Sequence, residues 1–147
     1  MGIDWLQVLD NLWHLLFAYA LAVSIGLNRE RSRRHFGLRT FPLLAVVSCG
    51  FMMVGMSVIS STDGEARIFQ GIVTGIGFIG GGAIFKGEGN VSGTTSAASI
   101  WNTGAIGLAV AFNRFKIATF LSLLNLVTLW GVGRLKRDFI DENQKDE

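Results

Sequence analysis

Charged residues in this chain are confined to short patches, and long apolar runs lie between the patches. Five of these runs reach about 18 residues or more, the length that a helix needs to cross a bilayer. They lie at about 8–27, 41–60, 68–86, 95–113 and 115–133. The pattern therefore predicts an all-α protein: a polytopic membrane helix bundle with five transmembrane helices over residues 1–133, and a short polar cytoplasmic tail over 134–147.

The basic residues between the runs predict how the bundle is oriented, because cytoplasmic loops are enriched in Lys and Arg. Ten of the 13 basic residues fall after runs one, three and five, and three fall on the opposite side. This asymmetry predicts an N-terminus outside the cell and a C-terminus in the cytoplasm. No Lys or Arg precedes the first run and five arginines follow it, so we interpret this run as a retained helix rather than a signal peptide.

The third run is unusually rich in glycine, with nine glycines in residues 71–93. Its GIGFIG segment matches a dinucleotide-binding pattern, but that pattern requires a strand–helix context that an apolar span does not provide. Glycines spaced four residues apart suit close packing between helices, and they form the pairs Gly71 with Gly75 and Gly77 with Gly81. The triplet at 80–82 could instead interrupt the helix and form an ion site. We favour a continuous, closely packed helix.

Hydroxyl and amide side chains line one face of the fourth run. Thr95, Ser99 and Asn102 recur at helical spacing, and polar side chains at this depth should face the bundle or a wet cavity rather than lipid. The stripe is typical of hydrogen bonds between helices, and a path for a solute or an ion is the alternative. Runs two to five contain no carboxylate and no His, which argues against a proton relay or a high-affinity site for a divalent metal.

Charged and aromatic residues mark the outer end of the first run. Asp10 and His14 are four residues apart and able to pair. They lie beside Trp5 and Trp13, which we interpret as interfacial anchors.

An arginine-rich loop at 28–40 follows the first run. It is either a topology determinant that attracts anionic headgroups or a docking surface for an acidic or phosphate-bearing partner. Glu30 is the single acid in this loop. We expect it to pair with Arg33 or Arg34, or with a cation of another loop.

The sequence contains no arrangement of residues typical of an enzyme. It lacks a nucleophile–base pair, a zinc-binding spacing and a phosphate-binding loop. We therefore expect no catalytic activity, no cofactor, no metal centre and no nucleic-acid partner. Cys49, the single cysteine, is expected to be a small packing residue.

Four motifs, in this order, resemble the signatures of the MgtC/SapB family of bacterial inner-membrane proteins. They are GLNRE at 26–30, GLRT at 37–40, GIGFIGGGAIFK at 75–86, and VSGTTSAASIW at 91–101 followed by AIG at 105–107. The motif positions carried over, without an assigned chemistry, are Arg29, Glu30, Arg39, Thr40, Gly77, Gly81, Thr95 and Trp101. Ser99 and Asn102 complete the set of candidate functional residues.

The resemblance implies a multi-pass protein of the bacterial inner membrane that is linked to growth in scarce Mg²⁺ and to survival inside host cells. Family members have been described as magnesium transporters, and as regulators of membrane energetics that act on the proton-translocating ATP synthase. Two features depart from the family pattern. We expect a short member without the cytoplasmic domain that many members carry after the last span, and the outer segment DGEAR at 63–67 lacks the proline that is common there.

Three functional hypotheses follow. We favour a non-enzymatic modulator of another membrane complex, such as the ATP synthase, which only the resemblance implies. The first alternative is a small oligomeric transporter or channel whose path passes Thr95, Ser99 and Asn102. The second is a scaffold that interacts with membrane lipids through the arginine-rich loop.

Overall fold

The computed structural model of the chain describes residues 4–31, 37–87 and 90–132, which form five long helices joined by short connections. The helices are α1 (Trp5–Arg31), α2 (Thr40–Val58), α3 (Thr62–Gly82), α4 (Thr94–Ala111) and α5 (Phe115–Val127). A π-helical segment (Thr128–Val132) continues α5, and two short strands, β1 (Phe85–Gly87) and β2 (Asn90–Ser92), pair antiparallel between α3 and α4. The helical prediction is confirmed, whereas the hairpin was not expected. The tail at 134–147 lies outside the described residues.

α4 is the central helix, since it contacts all four of the other long helices, and ten of its 18 residues are buried. A Cβ atom at Gly107 would overlap the carbonyl oxygen of Ala45 and lie 3.0 Å from the Cβ atom of Ser48. A Cβ atom at Gly104 would overlap the side chain of Ile76. Because these positions carry no side chain, α2 and α3 approach the backbone of α4 closely.

The glycines of α3 pack differently from the sequence prediction. The helix is continuous to its end at Gly82, as expected, and a Cβ atom at Gly80 would lie 3.4 Å from the carbonyl oxygen of Ala97 in α4. In contrast, a Cβ atom at Gly71, Gly75 or Gly81 would have no neighbour within 4 Å. The prediction that these three glycines pack inside the chain is therefore wrong. A four-residue spacing defines a face of a helix, but it does not define which neighbour that face meets.

α3 also covers a different stretch from the predicted third span. It begins at Thr62, where the hydroxyl of Ser61 accepts a hydrogen bond from the backbone N–H of Gly64 at 3.2 Å and two acids in the first turn favour the helix N-terminus. Ala83 follows the end of α3. A side chain at Gly93 would overlap the carbonyl oxygen of Ala83. Gly93 has a φ of 86°, which glycine adopts readily. Residues 85–86 therefore lie in β1, and the prediction of helix there is wrong.

The described residues combine an apolar core that contains several buried polar side chains with an extensively apolar outer surface. Buried polar residues include Arg29, Ser99 and Asn125, whereas the large apolar side chain of Phe78 is 85% exposed. Extended apolar surface of this kind is rare in soluble monomers and normal for helices in lipid. Within the part of the chain that the structure describes, two helical segments, Trp5–Glu30 and Thr40–Val58, are long and apolar enough to cross a membrane by their length and composition, and Phe115–Gly131 is a shorter apolar helix.

Candidate functional site

An open cavity of about 240 Å³ lies between α4 and α5, and most of its accessible surface is apolar. Thr95, Ser99 and Asn102 line it from α4, and Asn125 and Thr128 line it from α5 and its π-helical continuation. The three residues of the predicted polar stripe therefore meet at one cavity on one side of α4. The π-helical segment that continues α5 begins at Thr128, which lines the cavity.

Arg29 lies behind this cavity, near the C-terminal end of α1, and is only 4% exposed. Its Nη2 atom donates hydrogen bonds to the carbonyl oxygen of Thr95 at 2.6 Å and to Oγ of Ser99 at 2.8 Å. The Ser99 hydroxyl in turn donates to Oδ1 of Asn125 at 3.2 Å. A chain of hydrogen bonds that starts at a buried cation therefore joins α1, α4 and α5, and the bonds of such a chain polarise one another.

Two amide side chains complete the polar centre. Nδ2 of Asn102 donates to the carbonyl oxygen of Leu121 at 3.2 Å and thus ties α4 to α5 a second time. Nδ2 of Asn125 is buried and has no hydrogen-bond partner among the described residues. Sequence reasoning missed Asn125, although it is the one amide side chain in the apolar run at 115–133. An isolated amide in such a run is the signal that could have identified it.

The motifs GLNRE and GLRT form one corner between α1 and α2. Oε2 of Glu30 accepts a hydrogen bond from the backbone N–H of Leu38 at 3.2 Å, and a Cβ atom at Gly37 would overlap the same oxygen. The carboxylate thus lies near the N-terminus of α2, where a negative charge is favoured. Arg39 is exposed and directly precedes the helix, and the backbone N–H of Thr40 donates to the carbonyl oxygen of Gly37 at 3.1 Å.

Of the two predicted kinds of ion pair of Glu30, the structure tests one. Among the described cations of the other loops, none forms an ion pair with its carboxylate, so pairing with a cation of another loop is wrong. The backbone N–H of Leu38 binds the carboxylate instead of a cation, because the corner places Leu38 next to the end of α1. Arg33 and Arg34 lie outside the described residues, and pairing with them stays a prediction.

At the opposite end of the bundle, His14 joins α1 to the turn between α4 and α5. Its Nδ1 atom donates to the carbonyl oxygen of Asp10 at 2.8 Å, and its Nε2 atom lies 2.9 Å from Oδ1 of Asn113. The Asp10 carboxylate is 3.7 Å from Nδ1, so the predicted proximity of Asp10 and His14 is confirmed. Trp5 and Trp13 are exposed at this end.

α3 has one side against α4 and one side open. On the packed side, a Cβ atom at Gly77 would lie 4.0 Å from Nε1 of Trp101. On the opposite side lies a stripe at helical spacing, which we call the outer α3 stripe; it consists of Gly71, Gly75, Phe78 and Gly82. An apolar groove of about 530 Å³ between α2 and α3 borders this stripe.

These features define the class of protein: a helical bundle with an apolar outer surface, whose polar side chains converge on a buried arginine. The chain belongs to the MgtC family, because the model of that family matches residues 15–138. The MgtC/SapB resemblance inferred from the motifs is thereby confirmed. No solved structure matches the chain.

Three relatives illustrate the relationship. Protein SrpB of Synechococcus elongatus is 36% identical, over 91% of this chain and 79% of SrpB. The putative magnesium transporter YhiD of Escherichia coli is 34% identical, over 78% of this chain and 57% of YhiD. Protein MgtC of Salmonella typhimurium is 36% identical, over 77% of this chain and 48% of MgtC. The chain thus spans about half the length of the latter two proteins.

Proposed function

We propose that the chain is a non-enzymatic, multi-pass protein of the bacterial inner membrane that modulates another membrane protein complex in connection with Mg²⁺ limitation. Its membership of the MgtC family supports this proposal, as does similarity to a protein named a putative magnesium transporter. The ATP synthase, implied by the family resemblance, is the first partner to test.

In this proposal all five helices cross the membrane, with the N-terminus outside. Two contacts support an alternating arrangement of the helices. Arg29 meets Thr95 at the start of α4, and His14 meets Asn113 just after the end of α4, so α1 and α4 are antiparallel. In the membrane, α1 and α4 would then run in opposite directions, in agreement with the charge asymmetry of the loops.

The observation that carries the proposal is the outer α3 stripe. Inside a helix each glycine costs about 1 kcal/mol relative to alanine. The glycines of the stripe gain no contact in return, because a Cβ atom at Gly71, Gly75 or Gly82 would meet nothing within 4 Å. Small residues on a membrane helix let a second helix approach its backbone closely. A transmembrane helix of another protein is therefore the occupant that we assign to this face.

Site-specific cross-linking in living cells tests the assignment. A photoreactive amino acid at Phe78, at the centre of the outer α3 stripe, is expected to give an adduct with one defined membrane protein. The same amino acid at Phe120, an exposed position on α5, serves as the matched control and should give no such adduct.

A second variant links the adduct to the glycines. Gly75→Leu should abolish the adduct and co-purification of the partner, because the leucine side chain fills the surface that the partner helix approaches. Adducts between copies of this chain alone would show self-association instead of modulation. Equal adducts at both positions would refute a specific partner face.

The cavity between α4 and α5 favours a second candidate function, the small transporter or channel. Asn102 lies at the cavity together with Thr95 and Ser99, as a path for a solute requires. Flux through purified protein in liposomes that is lost in Asn102→Leu would support this function. Absence of flux for Mg²⁺, monovalent ions and small solutes would leave the modulator as the function.

A further inference from the structure

The cavity between α4 and α5 has the features of a ligand site that neither the family nor its relatives' names assign. It has a volume of about 240 Å³, and hydroxyl and amide side chains line it from both helices. Ala98, Leu124 and Leu129 supply the remaining, apolar part of its wall. The cavity is open to the surroundings of the helix bundle, so a small group can reach these side chains from outside.

The hydrogen-bond chain behind the cavity fixes the orientation of its deepest amide. Arg29 donates to Ser99, and Ser99 donates to Oδ1 of Asn125. The carbonyl oxygen of Asn125 therefore points toward the positive charge, and its Nδ2 atom points away from it. The amide group is polarised so that Nδ2 becomes a stronger donor.

The amide nitrogen of Asn125 lacks a hydrogen-bond acceptor within the part of the chain that the structure describes. Asn125 is 8% exposed and lines the cavity, and its Nδ2 atom is buried with no partner among the described residues. A buried donor without an acceptor costs free energy, and a ligand that supplies an acceptor removes this cost. The ligand atom opposite Asn125 must therefore be a hydrogen-bond acceptor.

The electrostatic surroundings favour an acceptor with a negative charge. α4 begins at Thr94, its N-cap Gly93 contributes no side-chain hydrogen bond, and Thr95 of its first turn lines the cavity. A helix N-terminus attracts anions through its dipole and its free N–H groups. The buried guanidinium of Arg29 adds a positive charge behind Ser99.

We propose that this cavity binds a phosphate group, held by Nδ2 of Asn125 and the hydroxyl of Thr95 in the positive field of Arg29 and the α4 N-terminus. The group belongs either to the headgroup of an anionic lipid or to a free phosphate ion. The proposal does not depend on the modulator function or on the outer α3 stripe.

Isothermal titration calorimetry of inorganic phosphate with the purified full chain in detergent tests whether the ligand is a free phosphate ion. Lipid retention, measured by native mass spectrometry after purification from nanodiscs that contain equal amounts of phosphatidylglycerol and phosphatidylcholine, tests whether it is a lipid headgroup. If the ligand is a free phosphate ion, inorganic phosphate binds in the calorimetric assay and no lipid is selectively retained in the mass spectrometric assay. A lipid headgroup gives selective retention of phosphatidylglycerol in the second assay.

Variants decide whether the binding belongs to the cavity. Asn125→Asp keeps the shape of the side chain but replaces the donor by a negative charge, and it should weaken binding in whichever assay is positive by at least about tenfold. Asn11→Asp, the same change at an exposed position at the opposite end of α1, is the matched control and should leave binding unchanged.

Thr95→Val covers the case in which Asn125→Asp fails to fold. Thr95 is exposed, so removal of its hydroxyl should preserve the helical circular dichroism signal while it weakens binding severalfold. Absence of binding in both assays would overturn the proposal. Binding that both cavity variants retain at full strength, or that only Asn11→Asp weakens, would overturn it as well.

Discussion

Replacement of Gly107 by alanine should destabilise the protein more than the same change at any other glycine of α3 or α4. The added Cβ atom would overlap the carbonyl oxygen of Ala45, whereas a carbon and a carbonyl oxygen in contact normally stay about 3.3–3.6 Å apart. Since the neighbour is backbone, α2 itself must move away from α4. That movement separates the helix that contacts all the others from one of its main partners.

The expected size follows from two opposing terms. Insertion of a methyl group into a closely packed interface costs about 1–3 kcal/mol, and the upper part of that range applies where backbone must move. Alanine returns up to about 1 kcal/mol through its higher helix propensity. The net loss of unfolding free energy should therefore be about 2 kcal/mol.

Two further glycines provide matched controls on the same chain. At Gly104 the overlap is with Cδ1 and Cγ1 of the Ile76 side chain rather than with backbone, so this side chain must shift but α3 need not, and Gly104→Ala should cost about 1 kcal/mol. At Gly71 nothing lies within 4 Å, so Gly71→Ala should stabilise the monomer by about 0.5–1 kcal/mol.

Unfolding of the purified chain in mixed micelles, driven by increasing SDS and followed by circular dichroism, measures all three variants. The predicted order of stability is Gly71→Ala, wild type, Gly104→Ala, Gly107→Ala. Equal stability of Gly107→Ala and wild type would refute the inferred backbone contact between α2 and α4. A loss at Gly71 as large as that at Gly107 would show that the α3 face is packed after all.

Three further changes test other contacts by the same unfolding assay. Ser99→Ala should cost about 1–3 kcal/mol, because it leaves a buried guanidinium donor and a buried amide without their shared hydroxyl; Ser57→Ala, which removes only an exposed bond within its own helix, should be nearly neutral. Glu30→Ala should cost about 1 kcal/mol through loss of the hydrogen bond that holds the α1–α2 corner, and no change would show that the corner is held by other contacts. Asn113→Ala should lower the free energy of unfolding by about 1–2 kcal/mol, because alanine is strained at the φ of 58° and cannot form the hydrogen bond to His14. Asn113→Gly should lower it less, because glycine adopts this φ readily. A larger loss for Asn113→Gly would contradict the strain.

The positions of most helices could be predicted from the sequence because long apolar runs coincide with them. The limits of α3 could not. Its first turn, from Thr62, is polar and falls outside the apolar run, and β1 is apolar enough to be read as its continuation. The chain turns before β1, where Gly93 approaches the carbonyl oxygen of Ala83 too closely for a side chain. Hydropathy records which residues tolerate lipid, whereas such a turn depends on local backbone geometry.

The polar site was predictable in part for a similar reason. The spacing of Thr95, Ser99 and Asn102 gives their common face directly. Arg29 was identified through its motif and placed in a loop, but the structure shows it inside α1 and buried against Ser99. Which residues meet across helices depends on tertiary contacts, so the spacing along α4 could not identify Asn125 of α5 as the fourth member.

The glycines of α3 and α4 have different energetic balances, and this difference connects the fold to function. In α4 the weak helix propensity of Gly107 is offset by a close contact with α2 inside the chain. In α3 the open glycines Gly71, Gly75 and Gly82 have no such offset within the chain. A partner helix at the outer α3 stripe would supply the close contact that these glycines lack. The proposed phosphate site is separate from this stripe, because it lies between α4 and α5. Gly75→Leu should therefore abolish partner binding and leave phosphate binding intact, and Asn125→Asp should do the reverse. Loss of both activities in either variant would show that the two surfaces are coupled through α4, which contacts both α3 and α5.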